Sequence, residues 1–432
     1  MNLSLRAVAV ATAATFTLGT GAAYADVDPI SYTDALDPGA SVTITKTVTT
    51  PEIPPRPDIV LMVDRTGSMF GAIDNVKTNM AAIIGTVAAA QPDAQWAVAS
   101  YCDFPEPDPF VLHSDLSAST ATTVAAVNGI GLCGGGDEPE AQLNALWEIG
   151  DGGDAVSFRD GSSRIVVWFG DAPGHDPSGG HTEADATASL VDVGARVLAV
   201  SVGANRLDLT GQATRITGTT GGALTTGVSA DQLSQAILDG LSALPVEVGA
   251  TATCDTGLTA TLEPATQTVT SGTDAVFQET LTLAADAPQG ETLSCEVAFT
   301  LNGEPGGDGF TQTVSIDVND VTPPTVSCEQ GPNPAGRMPQ GGNPDGFFQV
   351  FASDNVDPSV DIFVHDTGSS AIFGGYPSGT TFKITQAPGA TPEAVPFTGA
   401  VDWKLRLKGD ALMTVTDEAG NTAEVLCEVP PN

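Results

Sequence analysis

The chain has 432 residues, 53 Asp and Glu against 15 Lys and Arg, and a formal net charge of −38. That length is too great for one hydrophobic core and suits about three domains. So acidic a surface excludes nucleic acid and anionic membranes as partners and favours divalent cations and basic surfaces, although most of the acids read as a solvated coat.

Residues 1–25 read as a secretion signal: Arg6, the apolar run Ala7 to Phe16, then Ala23-Tyr-Ala25 before Asp26. Cleavage after Ala25 predicts a secreted, extracellular protein, released or held at the cell surface by a partner. No other segment is apolar enough for membrane insertion. Six cysteines in a secreted chain imply disulfides. Nearest-neighbour spacing suggests Cys102–Cys133, Cys254–Cys295 and Cys328–Cys427, one per domain, among about fifteen arithmetically allowed pairings. A cysteine-ligated metal is the alternative, but no C-x-x-C occurs.

Residues 26–57 hold a strand-like alternation, Ser41 to Val48, and a proline-rich connector ending at Pro57. They read either as a loose N-terminal arm or as a strand completing the first β domain. Residues 58–244 alternate strands and helices. Ile59 to Val63 is an apolar run suited to a strand buried on both faces. Ile73, Val76, Met80, Ile83, Ile84 and Val87 then lie on one helical face. Gln95 to Tyr101, Arg164 to Gly170 and Ala195 to Val202 read as further strands, and Ala141 to Ile149 as a helix. A last helix, Ala230 to Leu244, carries Leu233, Ile237, Leu241 and Leu244 on one stripe. The expected fold is a doubly wound, Rossmann-like α/β domain with a mostly parallel sheet. Thr- and Val-rich strands with Gly/Pro turns follow, predicting two all-β sandwich domains at 245–320 and 321–432.

The chemistry concentrates where strands of the α/β domain end. Asp64, Thr66 and Ser68 form a D-x-T-x-S array after Ile59–Val63, and Asp171 follows Arg164–Gly170. Between them the glycine-rich stretch Cys133 to Glu140 carries Asp137, Glu138 and Glu140. Loops at the carboxyl ends of such strands line the ligand crevice of an open α/β sheet. Short oxygen ligands there suit a hard divalent cation. The plainer alternative makes Asp64 a helix cap and the two hydroxyls turn formers.

These three stretches, DRTGSM, GGGDEPEA and GDAPGH, resemble the metal-binding loops of a von Willebrand factor A domain, in a form similar to the integrin β inserted domain. The resemblance implies one divalent cation, Mg²⁺ or Ca²⁺ with Mn²⁺ as a further option, held by Asp64, Thr66, Ser68, Glu140 and Asp171. Glu140 is chosen because its D-x-P-E spacing from Asp137 matches the integrin β form; Asp137 is second. Thr66 departs from the usual serine. Gly71 and Ala72 stand where an adjacent metal site needs acids, and Gly135 where another has an amide, so one cation rather than three is expected.

The resemblance also implies adhesion: a protein partner supplies an Asp or Glu to the cation, with Cys102 to Pro109 and His175 to His181 bordering the contact. The alternative is an acidic surface-coat or matrix component whose metal only stabilises it. No catalysis is expected, since G-x-S-x-G, H-E-x-x-H and phosphate-loop patterns are absent. The PP-x-x-x-C opening at Pro323 to Cys328 and the D-x-x-GN turn at Asp417 to Asn421 resemble bacterial immunoglobulin-like and hyalin-repeat modules. Asp317, Asn319 and Asp320 resemble a calcium-binding linker of cadherins, although turns also select Asp and Asn.

Overall fold

The computed structural model describes residues 26–307, 309–331, 346–397 and 401–429; the expected signal at 1–25 lies outside them. Three strands come first: β1 (Asp26–Asp28), β2 (Ser31–Leu36) and β3 (Ser41–Thr49). The α/β segment follows as β4 (Pro57–Asp64), α1 (Phe70–Ala90), β5 (Gln95–Tyr101), β6 (Phe110–Ser117), α2 (Thr120–Asn128) and α3 (Gln142–Ile149). It continues through β7 (Ser163–Gly170), α4 (Glu183–Asp192), β8 (Arg196–Val202), α5 (Gln212–Thr220), β9 (Ala223–Val228) and α6 (Leu233–Leu241). The last helix is shorter than its stripe suggested, because Ala230–Gln232 forms a 3-10 turn capped by Ser229.

The six strands of this unit lie in the order β6-β5-β4-β7-β8-β9. All pair in parallel except the edge strand β6, which is antiparallel to β5. β4 lies in the interior of the sheet and is buried throughout. Its Ile59, Leu61 and Val63 join the apolar stripes of α1 and α6, while Val60 and Met62 join residues of α3, α4 and α5 on the other face. Helices on both faces leave only apolar positions between Asp58 and Asp64, which explains the uninterrupted run Ile59–Val63. Burying a side chain such as Leu61 contributes about 2 kcal/mol. The sheet thereby fixes the loops at its carboxyl end on a rigid base.

Seven strands follow: β10 (Pro245–Cys254), β11 (Leu258–Glu263), β12 (Thr266–Thr270), β13 (Asp274–Leu283), β14 (Thr292–Leu301), β15 (Glu304–Pro305) and β16 (Thr311–Val318). They form two sheets, β1-β3-β13-β11 and β12-β10-β14-β16-β2, with β15 beside β14. β3 pairs antiparallel with β13, and β2 pairs parallel with β16. Residues 26–49 thus belong to the same sheets as residues 245–318, and the α/β segment interrupts this β unit in sequence. Every second residue faces inward. Val48, Phe277 and Leu281 of one sheet share a buried cluster with Val248, Phe299 and Ile316 of the other.

The remaining strands also make two sheets. One orders Thr325–Gln330, Phe347–Ser353, Thr380–Gln386, Trp403–Leu407 and Glu393–Pro396; the other orders Ile372–Tyr376, Ile362–Asp366, Ala411–Thr416 and Thr422–Cys427. Residues of both sheets, among them Val350, Phe382, Val364 and Met413, bury one cluster. Disulfides join Cys102 to Cys133, Cys254 to Cys295 and Cys328 to Cys427. Among the described residues no helix is long and apolar enough to cross a membrane.

Candidate metal centre

β4 and β7 are neighbours and parallel, so Asp64, the last residue of β4, and Asp171, just after β7, emerge side by side. Asp64 Oδ1 accepts from Thr66 N at 2.9 Å and from Thr66 Oγ1 at 2.7 Å, an Asx-type turn that fixes the loop. Thr66 Oγ1 lies 3.3 Å from Ser68 Oγ, which donates to Asp171 Oδ1 at 2.9 Å. Four of the five expected ligands therefore form one hydrogen-bonded chain.

Glu140 reaches this chain from the glycine-rich loop. Its backbone N donates to Pro173 O at 2.9 Å and its carbonyl accepts from His175 N at 3.0 Å, pinning it beside the loop after β7. The Cys102–Cys133 disulfide closes the opposite side, where Cys133 N donates to Arg65 O at 2.9 Å and Ala141 N to Cys102 O at 2.9 Å. All three loops are thus cross-tied through backbone groups.

Asp64 and Glu140 are both buried, and Asp64 Oδ2 and Glu140 Oε2 have no hydrogen-bond partner. Burial pushes the Asp64 carboxyl up to about 7, with Thr66 opposing and the Asp171 charge adding. Burial pushes Glu140 up to about 9, with the charges of Asp64, Asp103 and Asp171 adding and Thr66 opposing. An unpaired buried carboxylate is costly, and buried charges in proteins are paired or coordinate metals. Two orphaned acid oxygens beside two hydroxyls and Asp171 make a donor set that fits a hard divalent cation.

Close approach beneath the site depends on Gly170. A Cβ there would stand 2.3 Å from Tyr101 Oη and 3.1 Å from Asp64 Oδ2. Tyr101 is fully buried and its hydroxyl accepts from Trp168 Nε1 at 3.1 Å. Burial and the nearby Asp64 charge hold that phenol well above its usual range.

Asp137 does not join Asp64. It points outward, and its Oδ1 lies 3.1 Å from His175 Nε2, which is also 3.2 Å from Asp103 Oδ1. Asp103, Asp137 and His175 form a flanking cluster whose ligand atoms all lie within 4.8 Å of one another. Sequence reading missed Asp103, although it follows β5 as Asp171 follows β7. His181 stacks on Trp147 at 3.8 Å between ring centroids.

The linker acids separate. Asp317 accepts from Thr292 Oγ1 at 2.6 Å and Asn319 donates to Asp37 Oδ1 at 2.8 Å. Asp320 instead gathers with Asp354 and Asp417.

Residues 58–181 match the family model described as von Willebrand factor A domain. The chain contains a von Willebrand factor A domain. Solved structures similar to the chain include proximal thread matrix protein 1 from the mussel byssus, at 17% identity and a TM-score of 0.35, covering 47% of this chain and 47% of that chain. The chain thus spans about half the length of that protein. A von Willebrand factor type A protein from Catenulispora acidiphila is similar at 13% identity and a TM-score of 0.35, covering 70% of this chain and 76% of that chain. No curated protein matches.

Proposed function

We propose that this is an extracellular, metal-dependent binding protein of the adhesion type, whose A domain captures an acidic side chain of a protein partner. The observation that carries this reading is the pair of buried, unpartnered acid oxygens, Asp64 Oδ2 and Glu140 Oε2, beside the Asp64–Thr66–Ser68–Asp171 chain. Mg²⁺, Ca²⁺ or Mn²⁺ held by these residues would supply positive charge and an open coordination position for a carboxylate. Use of Glu140 in place of a threonine follows the integrin β form. Three disulfides suit an oxidising, extracellular setting.

The surroundings suit a protein contact. Phe70, Phe104 and Leu132 are exposed apolar residues within a few positions of Ser68, Asp103 and Cys133. Aromatic anchors around one polar contact are the usual anatomy of a binding hot spot. Cross-tying of the loops lowers the ordering cost on association. We read the two β units as sandwiches, the second immunoglobulin-like, that carry the A domain.

Calorimetric titration of the protein with Mg²⁺ and with Ca²⁺, beside Asp64→Ala, tests the reading. A saturable site lost in the variant supports it, and the loaded protein is then titrated with an Asp-containing peptide library. Identical heats from both proteins would remove the proposed site. A cation site that no acidic peptide reaches would leave the metal as a stabilising part of a matrix component.

A further inference from the structure

Lys46, Glu279 and Gln312 are fully buried in the first β unit, and the metal centre uses none of them. Each takes an inward position in an otherwise apolar alternation. On β3 the set is Val42, Ile44, Lys46 and Val48; on β13 it is Ala275, Phe277, Glu279, Leu281 and Leu283; on β16 it is Gln312, Val314, Ile316 and Val318. Lys46 sits opposite Phe277 in the β3–β13 pairing, so Glu279, two residues on, shares its face. Gln312 faces the same core from the opposing sheet. The two sheets thereby bring an amine, a carboxyl and a carboxamide into one apolar enclosure.

Lys46 Nζ is 3.9 Å from Glu279 Oε2 and donates to the carbonyl of Pro29. Neither carboxyl oxygen of Glu279 and neither amide atom of Gln312 makes a hydrogen bond of good geometry. The Gln312 amide is nevertheless close enough to draw the Glu279 carboxyl down against the effect of burial. Buried polar groups so poorly partnered are an arrangement that folded proteins avoid. Burial draws the Lys46 amine down to about 8, the charges of Glu279 and Asp28 opposing. It also pushes the Glu279 carboxyl up. Both shifts favour a neutral amine beside a neutral acid, which is a nucleophile next to a proton donor.

We propose that Lys46 and Gln312 join in an intramolecular isopeptide bond, with Glu279 as the proton-transfer group. The Lys46 ammonium gives one proton to the Glu279 carboxylate, and the free amine attacks Gln312 Cδ. The Glu279 acid hydrogen-bonds the carboxamide oxygen as negative charge develops there. The Cδ–Nε2 bond then breaks. Glu279 carries a proton from the attacking nitrogen to the leaving one, which departs as ammonia. Amine plus carboxamide becomes secondary amide plus ammonia, with no oxidant or cofactor. The bond ties β3, which precedes the A domain, to β16, which follows it, and links the two sheets.

Intact-mass spectrometry of the full chain with its disulfides reduced decides the matter, followed by fragmentation of its peptides. The expected wild-type mass is one ammonia below that of its sequence, with a branched peptide joining the Lys46 and Gln312 segments. Glu279→Ala and Lys46→Arg should each sit at their full sequence masses. Either variant serves if the other fails to fold, and the wild-type mass alone is decisive. A wild-type chain at full mass, or an ammonia loss mapped to any other residue, overturns the proposal.

Discussion

Asp64→Asn separates the cost of a buried carboxylate from its use. Burial lifts the Asp64 carboxyl from the usual 3.8 to about 7. The side chain is fully buried, so the shift converts at about 1.36 kcal/mol per pH unit, on the order of 4 kcal/mol in all. A folded-state pKa above the unfolded one means that folding favours the neutral acid. Stability from this group is therefore complete below about pH 4 and declines as pH rises to about 7. Glu140 is shifted the same way, by burial and then by the Asp64 charge, to about 9, so the two acids titrate together. In chelator, the wild type should lose stability between about pH 5 and about pH 8. Asp64→Asn, in which the amide oxygen still accepts from Thr66, should be more stable there by up to about 4 kcal/mol. Mg²⁺ or Ca²⁺ at a hundredfold excess over Kd should restore about 2.7 kcal/mol to the wild type and nothing to the variant. Urea unfolding followed by the fluorescence of Trp96 and Trp168, both buried in the A domain, measures each term. A chelated wild type whose stability is flat or rises over that pH window would refute the reasoning, as would a variant less stable than wild type at its upper end.

Gly170→Ala places a methyl group against Tyr101 Oη and Asp64 Oδ2, so a loss of about 1–3 kcal/mol in urea unfolding and weaker calorimetric cation binding are expected. If α6 answers ligand binding with a shift, hydrogen exchange of residues 233–241 should change when cation and acidic peptide are both present. Unchanged exchange there would show that α6 stays fixed, held by bonds such as Ser234 Oγ to Asn75 Oδ1 at 2.6 Å.

What could be read from sequence follows from burial. β4 and β7 were visible because covering both faces leaves only apolar residues, and the acid ending each run marks where the chain leaves the core. The D-x-T-x-S spacing is legible because one short turn makes the contacts among Asp64, Thr66 and Ser68. Asp103 was missed because its burial is a tertiary effect: Gly136 N, far along the chain, donates to its Oδ2 at 2.9 Å. β6 was not read from the sequence, since an edge strand is only half buried and shows no clean alternation. The pairing of β3 with β13 left only a weak trace, an orphan alternation that needed a partner over two hundred residues away. Lys46, Glu279 and Gln312 each interrupt an apolar alternation, and only the pairing of strands puts them on facing surfaces.

The interruption of the β unit by the A domain decides how a pull on the metal site is carried. Asp64 and Asp171 stand at the carboxyl ends of β4 and β7, whereas both chain connections leave from the opposite end. There Arg196, which opens β8, donates to Pro245 O, and Asn302 Nδ2 donates to Ser163 Oγ, which opens β7, at 3.5 Å. A load at the site therefore runs along parallel strands, where ladder hydrogen bonds are sheared together rather than opened one at a time. It leaves the A domain by two routes, β3 in one sheet and β10 in the other. The onward chain continues only from β16, which shares a sheet with β10. Force entering through β10 passes along hydrogen-bonded neighbours, whereas force entering through β3 passes across the apolar layer between sheets or back along the chain to β2, which pairs with β16. Lys46 of β3 and Gln312 of β16 face one core, so a covalent bond between them would add a direct route from β3 to β16 beside the one through β2.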